Sequence, residues 1–165
     1  MKQYEFSDHL EDNYQLMVQT LKAFLTGESH VMANLANASA IINAYVKDIN
    51  WVGFYLMEAG ELVLGPFQGK PACFRIPVGH GVCGTAVKRR ETLVVADVHQ
   101  FPGHIACDGA TNAEMVIPMM KNGEVFGVLD LDSPICHRFT DLEKKYLEEA
   151  VAIIEVSLSK QVDAK

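Results

Sequence analysis

The sequence lacks the long apolar runs and the basic surfaces that mark membrane and nucleic-acid-binding proteins. No apolar run reaches about eighteen residues, the length that spans a bilayer, and the N-terminal region has no charged-then-apolar signal pattern. The 14 basic residues are outnumbered by 21 acidic ones, and the one basic cluster is Lys88-Arg89-Arg90. Because phosphate binding needs clustered Lys and Arg, we expect no nucleic-acid partner. The lack of a membrane-spanning run and of a signal pattern leads us to expect no membrane association and a cytoplasmic location.

Paired metal ligands are also absent from the sequence. The four cysteines stand at positions 73, 83, 107 and 136, so no C-x-x-C pair occurs, and no two histidines have helical spacing. His104 and Cys107 form a single weak pair, whereas zinc motifs have strict ligand spacing, so we expect no metal. Without a signal pattern, we interpret the cysteines as thiols in a reducing compartment rather than as two structural disulfides.

The overall composition is that of an ordinary globular protein. Apolar residues make up 49% of the chain and charged residues 21%. A chain of 165 residues is long enough for one hydrophobic core, and no internal repeat or linker divides it. We predict a single domain over residues 1–165, with a helical N-terminal segment of about residues 1–46 packed on it.

Apolar periodicity predicts two helices, then a series of hairpins, then a last helix. The first helix is capped by Ser7 and ends at Gly27, and Ser29 opens the second. After Asn50, strand patterns occupy 51–57, 62–64, 73–78, 92–97, 114–120 and 125–132, and further helices cover 83–89 and the segment after Phe139-Thr140-Asp141. Because hairpins predominate, the predicted fold class is α+β, a central and mostly antiparallel sheet with helices packed on it.

One glycine-rich stretch, Gly79-His80-Gly81-Val82-Cys83-Gly84, formally matches the dinucleotide fingerprint. Only about two helical turns follow before the next strand, which is too short for the crossover of a βαβ unit. We therefore reject a nucleotide site and predict a tight turn into a short helix. Near the N-terminus of that helix, Cys83 is either a thiolate favoured by the helix dipole or a small buried residue.

Carboxylates are predicted to converge near a reachable thiol. Cys107 lies in a loop rich in Gly, Pro, Asp and Asn, and Glu114 follows seven residues later. Asp130 and Asp132 are two apart on a strand and share a face, and Glu114 opens the neighbouring strand of the same hairpin. Such a cluster suits an ammonium group, and mutual repulsion should raise at least one carboxyl pKa. The alternative is that the aspartates only cap the hairpin and meet solvent.

Aromatic residues mark one face of the first predicted strand. Trp51, Gly53 and Tyr55 alternate onto one side of it. Rings on one face of a strand more often belong to a core than to a pocket. Two rings that flank a glycine also have the arrangement to line a small apolar recess, so both readings stand.

Thiol redox chemistry fits the cysteine positions better than hydrolysis does. Cys73, Cys83 and Cys107 all lie in Gly/Pro-rich loops or at element ends, where a thiol can be reached and can move. An attacking thiolate and a resolving thiol are the minimum set for reducing a substrate through sulfenic acid and disulfide. A cysteine hydrolase with His99 or His104 as base is the weaker alternative, because nothing in the sequence provides a partner to orient the histidine.

Taken together, the motifs resemble those of the free methionine-(R)-sulfoxide reductases, which are single GAF-domain enzymes. Ordinary GAF domains lack this cysteine set, and the resemblance runs from the second helix to the last. The segments that carry it are Trp51-Val52-Gly53-Phe54-Tyr55, Leu64-Gly65-Pro66-Phe67-Gln68-Gly69-Lys70, Cys73, Arg75-Ile76-Pro77-Val78-Gly79, Gly81-Val82-Cys83-Gly84-Thr85-Ala86, Asp97-Val98-His99, Gly103-His104-Ile105-Ala106-Cys107-Asp108, Asn112, Glu114 and Gly127-Val128-Leu129-Asp130-Leu131-Asp132-Ser133.

The resemblance implies a role for each cysteine. Cys107 is expected to attack the sulfur of free methionine (R)-sulfoxide, and Cys73 to resolve the sulfenic acid as a disulfide that thioredoxin then reduces. Cys83 is expected to be a backup resolving thiol. Cys136 matches no family cysteine and receives no role.

The resemblance also implies a binding pocket. Glu114, Asp130 and Asp132 are expected to hold the substrate ammonium group and to protonate or polarise the sulfoxide oxygen, and Trp51 and Tyr55 to wall the methyl group. No cofactor besides the reductant is expected. A role under oxidative stress is a further expectation. The N-terminal helices are either scaffold or a dimer surface, so the sequence leaves a homodimer open. The rival is a non-catalytic GAF sensor that binds a small ligand without consuming reductant.

Overall fold

The computed structural model describes residues 6–105 and 107–159, apart from the side chain of Ser159. Six strands form one sheet in the order β3-β2-β1-β6-β5-β4, and every neighbouring pair is antiparallel. The strands are β1 (Trp51–Glu58), β2 (Glu61–Gly69), β3 (Arg75–Pro77), β4 (Leu93–Val95), β5 (Ala113–Lys121) and β6 (Glu124–Ser133). The predicted α+β class with a mostly antiparallel sheet is confirmed.

Helices cover both faces of this sheet. They are α1 (Leu10–Leu25), α2 (Val31–Tyr45), α3 (Gly81–Arg89) and α4 (Asp141–Ser159), and a 3₁₀ turn spans Val98–Gln100. α1, α2 and α4 pack on the face that carries Val52 and Phe54, where they form the main core. α3 packs on the opposite face, which carries Trp51 and Tyr55. The alternation of β1 therefore separates a structural face from a second face that is available for a site. No helix in the described ranges is long and apolar enough to cross a membrane.

The predicted N-caps of the first two helices were wrong. α1 begins at Leu10 with His9 at the N-cap position, so Ser7 lies outside it. α2 begins at Val31, and its N-cap is His30, whose ring nitrogen accepts a hydrogen bond from a backbone N–H one turn into the helix. Any side chain with an acceptor at the right distance satisfies a free N–H at a helix start, and in α2 a histidine does so in place of serine.

The second and third strands also differ from their predicted lengths. β2 extends to Gly69 because Gly65 and Pro66 together oppose the single residue Phe54, forming a bulge where the register with β1 shifts. A proline has no N–H for a regular ladder, and a bulge lets the strand continue past it. β3 is only three residues long, so Cys73 precedes the strand rather than beginning it. β3 and β4 lie at opposite edges of the sheet, consistent with rejecting a βαβ nucleotide site.

Candidate active site

The floor of the site is a row of side chains across three adjacent strands. On β6, Asp132 lies directly opposite Trp51 of β1 on one side and opposite Glu114 of β5 on the other. Two residues along β6, Asp130 lies opposite Gly53 and points to the same face. The predicted convergence of the three carboxylates is confirmed, and they line a pocket rather than meeting solvent.

Aromatic rings form one wall of this pocket. The Trp51 ring stacks on Tyr55, with centroids 5.9 Å apart, and on Phe67 of β2, with centroids 5.3 Å apart. Gly53 makes this possible, because a Cβ on that residue would come within 2.6 Å of the Trp51 ring. Trp51 and Tyr55 are 3% and 2% exposed, so the face is both buried core and pocket wall. Phe67 was not singled out in the sequence, because its position opposite Gly53 appears only once the β1–β2 register is known.

α3 and the loop that precedes β5 cover the carboxylates. Gly81, at the start of α3, has a φ of +60°, and a Cβ there would lie 3.2 Å from the Ile105 side chain. This close approach seats the loop on the helix and encloses a pocket of about 500 Å³, counting its open mouth.

Cys83 projects from α3 into the pocket and is a buried neutral thiol. Its Sγ donates a hydrogen bond to the Glu114 carboxyl group, with the sulfur 3.9 Å from Oε1. Burial, and then the negative charges of Asp130 and Glu114, raise the pKa of Cys83 well above its usual value. The suggestion that the helix dipole makes this thiol a thiolate was therefore wrong, and the alternative of a small buried residue was right.

A disulfide closes the rim of the pocket. It joins Cys73, just before β3, to Cys107 in the loop before β5, with their Cα atoms 5.6 Å apart. These cysteines are 34 residues apart in sequence, and only the fold brings them together. Cys107 lines the pocket, whereas the free thiol of Cys136 is exposed and does not.

Polar contacts hold the Cys107 loop on the sheet. The Asn50 amide donates to Asp108 Oδ2 and to Thr111 Oγ1, at 3.2 Å each. Lys70 Nζ lies 3.6 Å from Asp108 Oδ2. A hydrogen bond from the Ala110 N–H lowers the pKa of Asp108, and Asn50 and Lys70 lower it further, so Asp108 is a stable anion. The sequence did not reveal this anchor, although the position of Asn50 directly before the aromatic strand and of Asp108 directly after Cys107 was a usable signal.

The three pocket carboxyls favour their protonated forms. Burial raises the pKa of Glu114, Asp130 and Asp132 well above the usual range, and neighbouring carboxylates raise it further. His104 Nε2 lies 3.6 Å from Glu114 Oε2, but burial lowers the pKa of this histidine. Since both groups favour their neutral forms, their contact is not a strong ion pair. Asp130 Oδ1 is buried and has no hydrogen-bond partner, so the pocket presents an unsatisfied acceptor.

Cys83, Glu114 and Asp130 also have the composition of a metal site. One donor atom from each lies within 4.8 Å of the others. Metal ligation needs a thiolate, however, and burial raises the pKa of this thiol, so that it keeps its proton. That no metal takes part stays a prediction.

Replacing Asp130 by asparagine is expected to stabilise the fold. A carboxyl whose pKa is raised by folding binds its proton more tightly in the native state, so its contribution to stability is lost as pH rises through the raised pKa. Asparagine does not titrate, and we expect the free energy of unfolding at pH 8 to rise by about 0.5–2 kcal/mol, the usual gain of a single stabilising change. Urea unfolding of the oxidised protein from pH 4 to 9 measures this. Glu124→Gln, at an exposed turn, is the control, and an equal gain there would contradict the prediction.

The fold is that of a GAF domain, whose family model matches residues 9–158. Over 146 residues the chain is 50% identical to the free methionine-R-sulfoxide reductase of Escherichia coli, and the match covers 88% of each chain. The solved fRMsr of Staphylococcus aureus in complex with substrate is 49% identical, with a TM-score of 0.85 over 95% of this chain and 99% of that one. The free methionine-R-sulfoxide reductase from Neisseria meningitidis in complex with its substrate is 38% identical, with a TM-score of 0.92 over 98% and 99%. The chain belongs to the family of free methionine-R-sulfoxide reductases, as its motifs predicted.

Proposed function

We propose that this chain reduces free L-methionine (R)-S-oxide to L-methionine, with Cys107 as the attacking thiol. The observation that carries this proposal is the Cys73–Cys107 disulfide at the rim of a buried carboxylate pocket. A disulfide of this kind is the expected product of a thiol that has removed an oxygen atom and has then been resolved by a second thiol. Two relatives of the family have been solved with their substrate.

In the reduced enzyme, the Cys107 thiolate attacks the sulfoxide sulfur. The protonated Glu114 donates its proton to the sulfoxide oxygen as the bond between Cys107 Sγ and the substrate sulfur forms, so no oxyanion accumulates. The hydroxyl then passes to Cys107 Sγ while the S–O bond of the substrate and the new sulfur–sulfur bond break. The products are methionine and a Cys107 sulfenic acid, so the oxygen atom has moved from substrate to enzyme. Burial of Glu114, which raises its pKa, supports this role because it maintains the donor form.

Recognition of a free amino acid follows from the remaining pocket groups. A substrate ammonium group would donate a hydrogen bond to Asp130 Oδ1, which has no partner. Asp132, two residues along the same strand, would provide a second carboxyl group for it. A positive charge at that point also favours ionisation of both carboxyls. The stacked rings of Trp51 and Tyr55 provide an apolar wall for the S-methyl group. A methionine sulfoxide within a peptide has no free ammonium group, so it would lose this interaction.

Cys73 is the proposed resolving thiol. Its sulfur displaces the hydroxyl of the Cys107 sulfenic acid as water and forms the disulfide, which thioredoxin then reduces with two electrons. Cys83 keeps its proposed backup role. No cofactor other than the dithiol reductant is needed. We further propose that the enzyme acts in the cytoplasm under oxidative stress, and its homodimeric state stays a prediction.

The decisive assay follows methionine formation from separate epimers with thioredoxin, thioredoxin reductase and NADPH. We expect turnover of the free R epimer and little or none of the S epimer or of a peptide-bound R epimer. Binding of the R epimer without NADPH oxidation would instead identify a non-catalytic sensor. Product release without any reductant over many turnovers would indicate a hydrolase.

Replacing Cys73 by serine is expected to slow thioredoxin-dependent turnover by at least about tenfold. The intramolecular attack of Cys73 on the Cys107 sulfenic acid is then lost, and the sulfenic acid must be resolved by a slower route. The residual activity should disappear in Cys73→Ser/Cys83→Ser, since the backup thiol is then gone. Steady-state rates and mass spectrometry of the oxidised forms test both steps. Cys136→Ser controls for loss of a thiol outside the pocket. Wild-type rates in the double variant would remove both cysteines from the mechanism.

A further inference from the structure

One large apolar side chain stands in solvent next to the disulfide. Phe74 is 80% exposed, the highest value for a large hydrophobic residue in the described ranges. Single exposed apolar residues are common on protein surfaces and need no explanation by themselves. Phe74 differs because it directly follows Cys73, one of the two disulfide cysteines, in the chain.

The backbone around Phe74 is held in place, so the exposure of the ring is built into the fold. The Tyr55 hydroxyl donates to the Cys73 carbonyl at 3.0 Å. The Leu64 N–H donates to the Phe74 carbonyl at 3.0 Å. Two residues further on, Ile76 is buried in the core beneath α3. These contacts leave the Phe74 ring outside the core on a fixed segment.

The two sulfurs of the disulfide lie differently with respect to the pocket. Cys107 lines the pocket together with Ile105 and residues of α3, whereas Cys73 does not line it. A thiolate attacks a disulfide in line with the S–S bond, from the side opposite the sulfur that leaves. A protein dithiol, which is too large to enter the pocket, is therefore expected to attack Cys73 and to release Cys107 as the leaving thiolate.

We propose that Phe74 is the docking contact for the dithiol protein that reduces the enzyme at Cys73. This inference rests on the proposed reductase function. Lys70 precedes Phe74 in the chain and Arg75 follows it, and their side chains are 71% and 55% exposed. Phe74 is therefore an apolar contact with charged residues near it. Protein interfaces commonly have this composition, and a buried aromatic anchor often dominates their affinity.

The exchange at this surface balances as a two-electron transfer. A thiolate of the reductant bonds to Cys73 Sγ, the Cys73–Cys107 bond breaks, and Cys107 leaves as a thiolate that takes up a proton. The second thiol of the reductant then attacks the mixed disulfide and releases Cys73. The reductant ends as a disulfide, and its two thiol protons end on Cys73 and Cys107. A small dithiol carries out the same exchange without touching a docking surface.

The test compares two reductants on the full-length enzyme. With thioredoxin, Phe74→Ala should lower kcat/KM for the reductant by about 30-fold, the loss of a hot-spot contact, and Phe74→Asp should lower it more. With dithiothreitol, both variants should turn over sulfoxide at the wild-type rate. Phe74→Leu, which keeps an apolar contact, should recover part of the thioredoxin activity.

Phe24→Ala is the matched control, because Phe24 is 53% exposed on α1, in the layer on the other face of the sheet. An unchanged kcat/KM for thioredoxin in Phe74→Ala would overturn the inference, as would an equal fall with dithiothreitol or in Phe24→Ala. Wild-type turnover with dithiothreitol but not with thioredoxin would overturn the docking inference and leave the reductase function standing. Failure of the wild type with both reductants would refute the proposed function itself.

Discussion

Replacing Cys107 by serine is expected to abolish reduction of free L-methionine (R)-S-oxide, with a fall in kcat of at least about 10⁴-fold. A serine hydroxyl is not ionised near neutral pH and is a far poorer nucleophile toward sulfur than a thiolate, so the covalent step is lost rather than slowed. The thioredoxin-coupled assay measures the loss. Cys136→Ser removes an exposed thiol away from the pocket and should keep the wild-type rate.

A single-turnover experiment separates this role from a structural one. Reduced wild-type enzyme without added reductant should form about one equivalent of methionine per chain and then show the Cys73–Cys107 disulfide by mass spectrometry, since one oxygen transfer oxidises one thiol pair. Cys107→Ser should form none. One equivalent of methionine from this variant, or a disulfide between Cys73 and Cys83 as its first product, would assign the attack to another thiol.

Replacing Glu114 by glutamine is expected to lower kcat by about 10²–10⁴-fold, the usual contribution of a positioned general acid. Glutamine keeps the shape of the side chain but has no acidic proton to give to the sulfoxide oxygen. The distinctive readout is the pH profile. A proton donor works only while protonated, so wild-type kcat should fall as pH rises through the raised pKa of Glu114, and this limb should be absent in the variant.

Two further variants serve as controls for this prediction. Glu124→Gln, at the exposed turn between β5 and β6, should leave both kcat and the pH profile unchanged. Glu114→Asp keeps the acid on a shorter side chain and should retain more activity than Glu114→Gln. If Glu114→Gln lost only affinity, with kcat and its pH profile intact, the residue would be a binding group for the substrate and not its proton donor.

The parts of the site that the sequence predicted depend on local periodicity. Asp130 and Asp132 share a face because side chains alternate along any strand, and Glu114 joins them because an Asn-Gly turn pairs its strand with theirs. The same alternation placed Trp51 and Tyr55 together. Whether these two rings were core or pocket was not decided by the pattern, and in the structure they are both.

The helix starts show where local rules failed. Serines at 7 and 29 looked like N-caps, yet His9 and His30 hold those positions. The extension of β2 past Pro66 was missed for a related reason, because a proline normally ends a strand and here a bulge opposite Phe54 accommodates it. In each case the neighbouring structure, rather than the residue's own preference, decided the outcome.

By itself, the sequence determined the α+β class, the pairing of strands in hairpins and the three-carboxylate cluster, since all of these follow from short-range spacing. Its family motifs identified Cys73 as the partner of Cys107, which the spacing of the cysteines left open. Tertiary structure alone decided that Trp51 faces Asp132 across β1 and β6, that Cys83 is a neutral buried thiol, and that the Phe74 side chain next to Cys73 is exposed to solvent. The physical reason is that burial, and with it pKa and access to a reductant, depends on contacts between segments far apart in the chain.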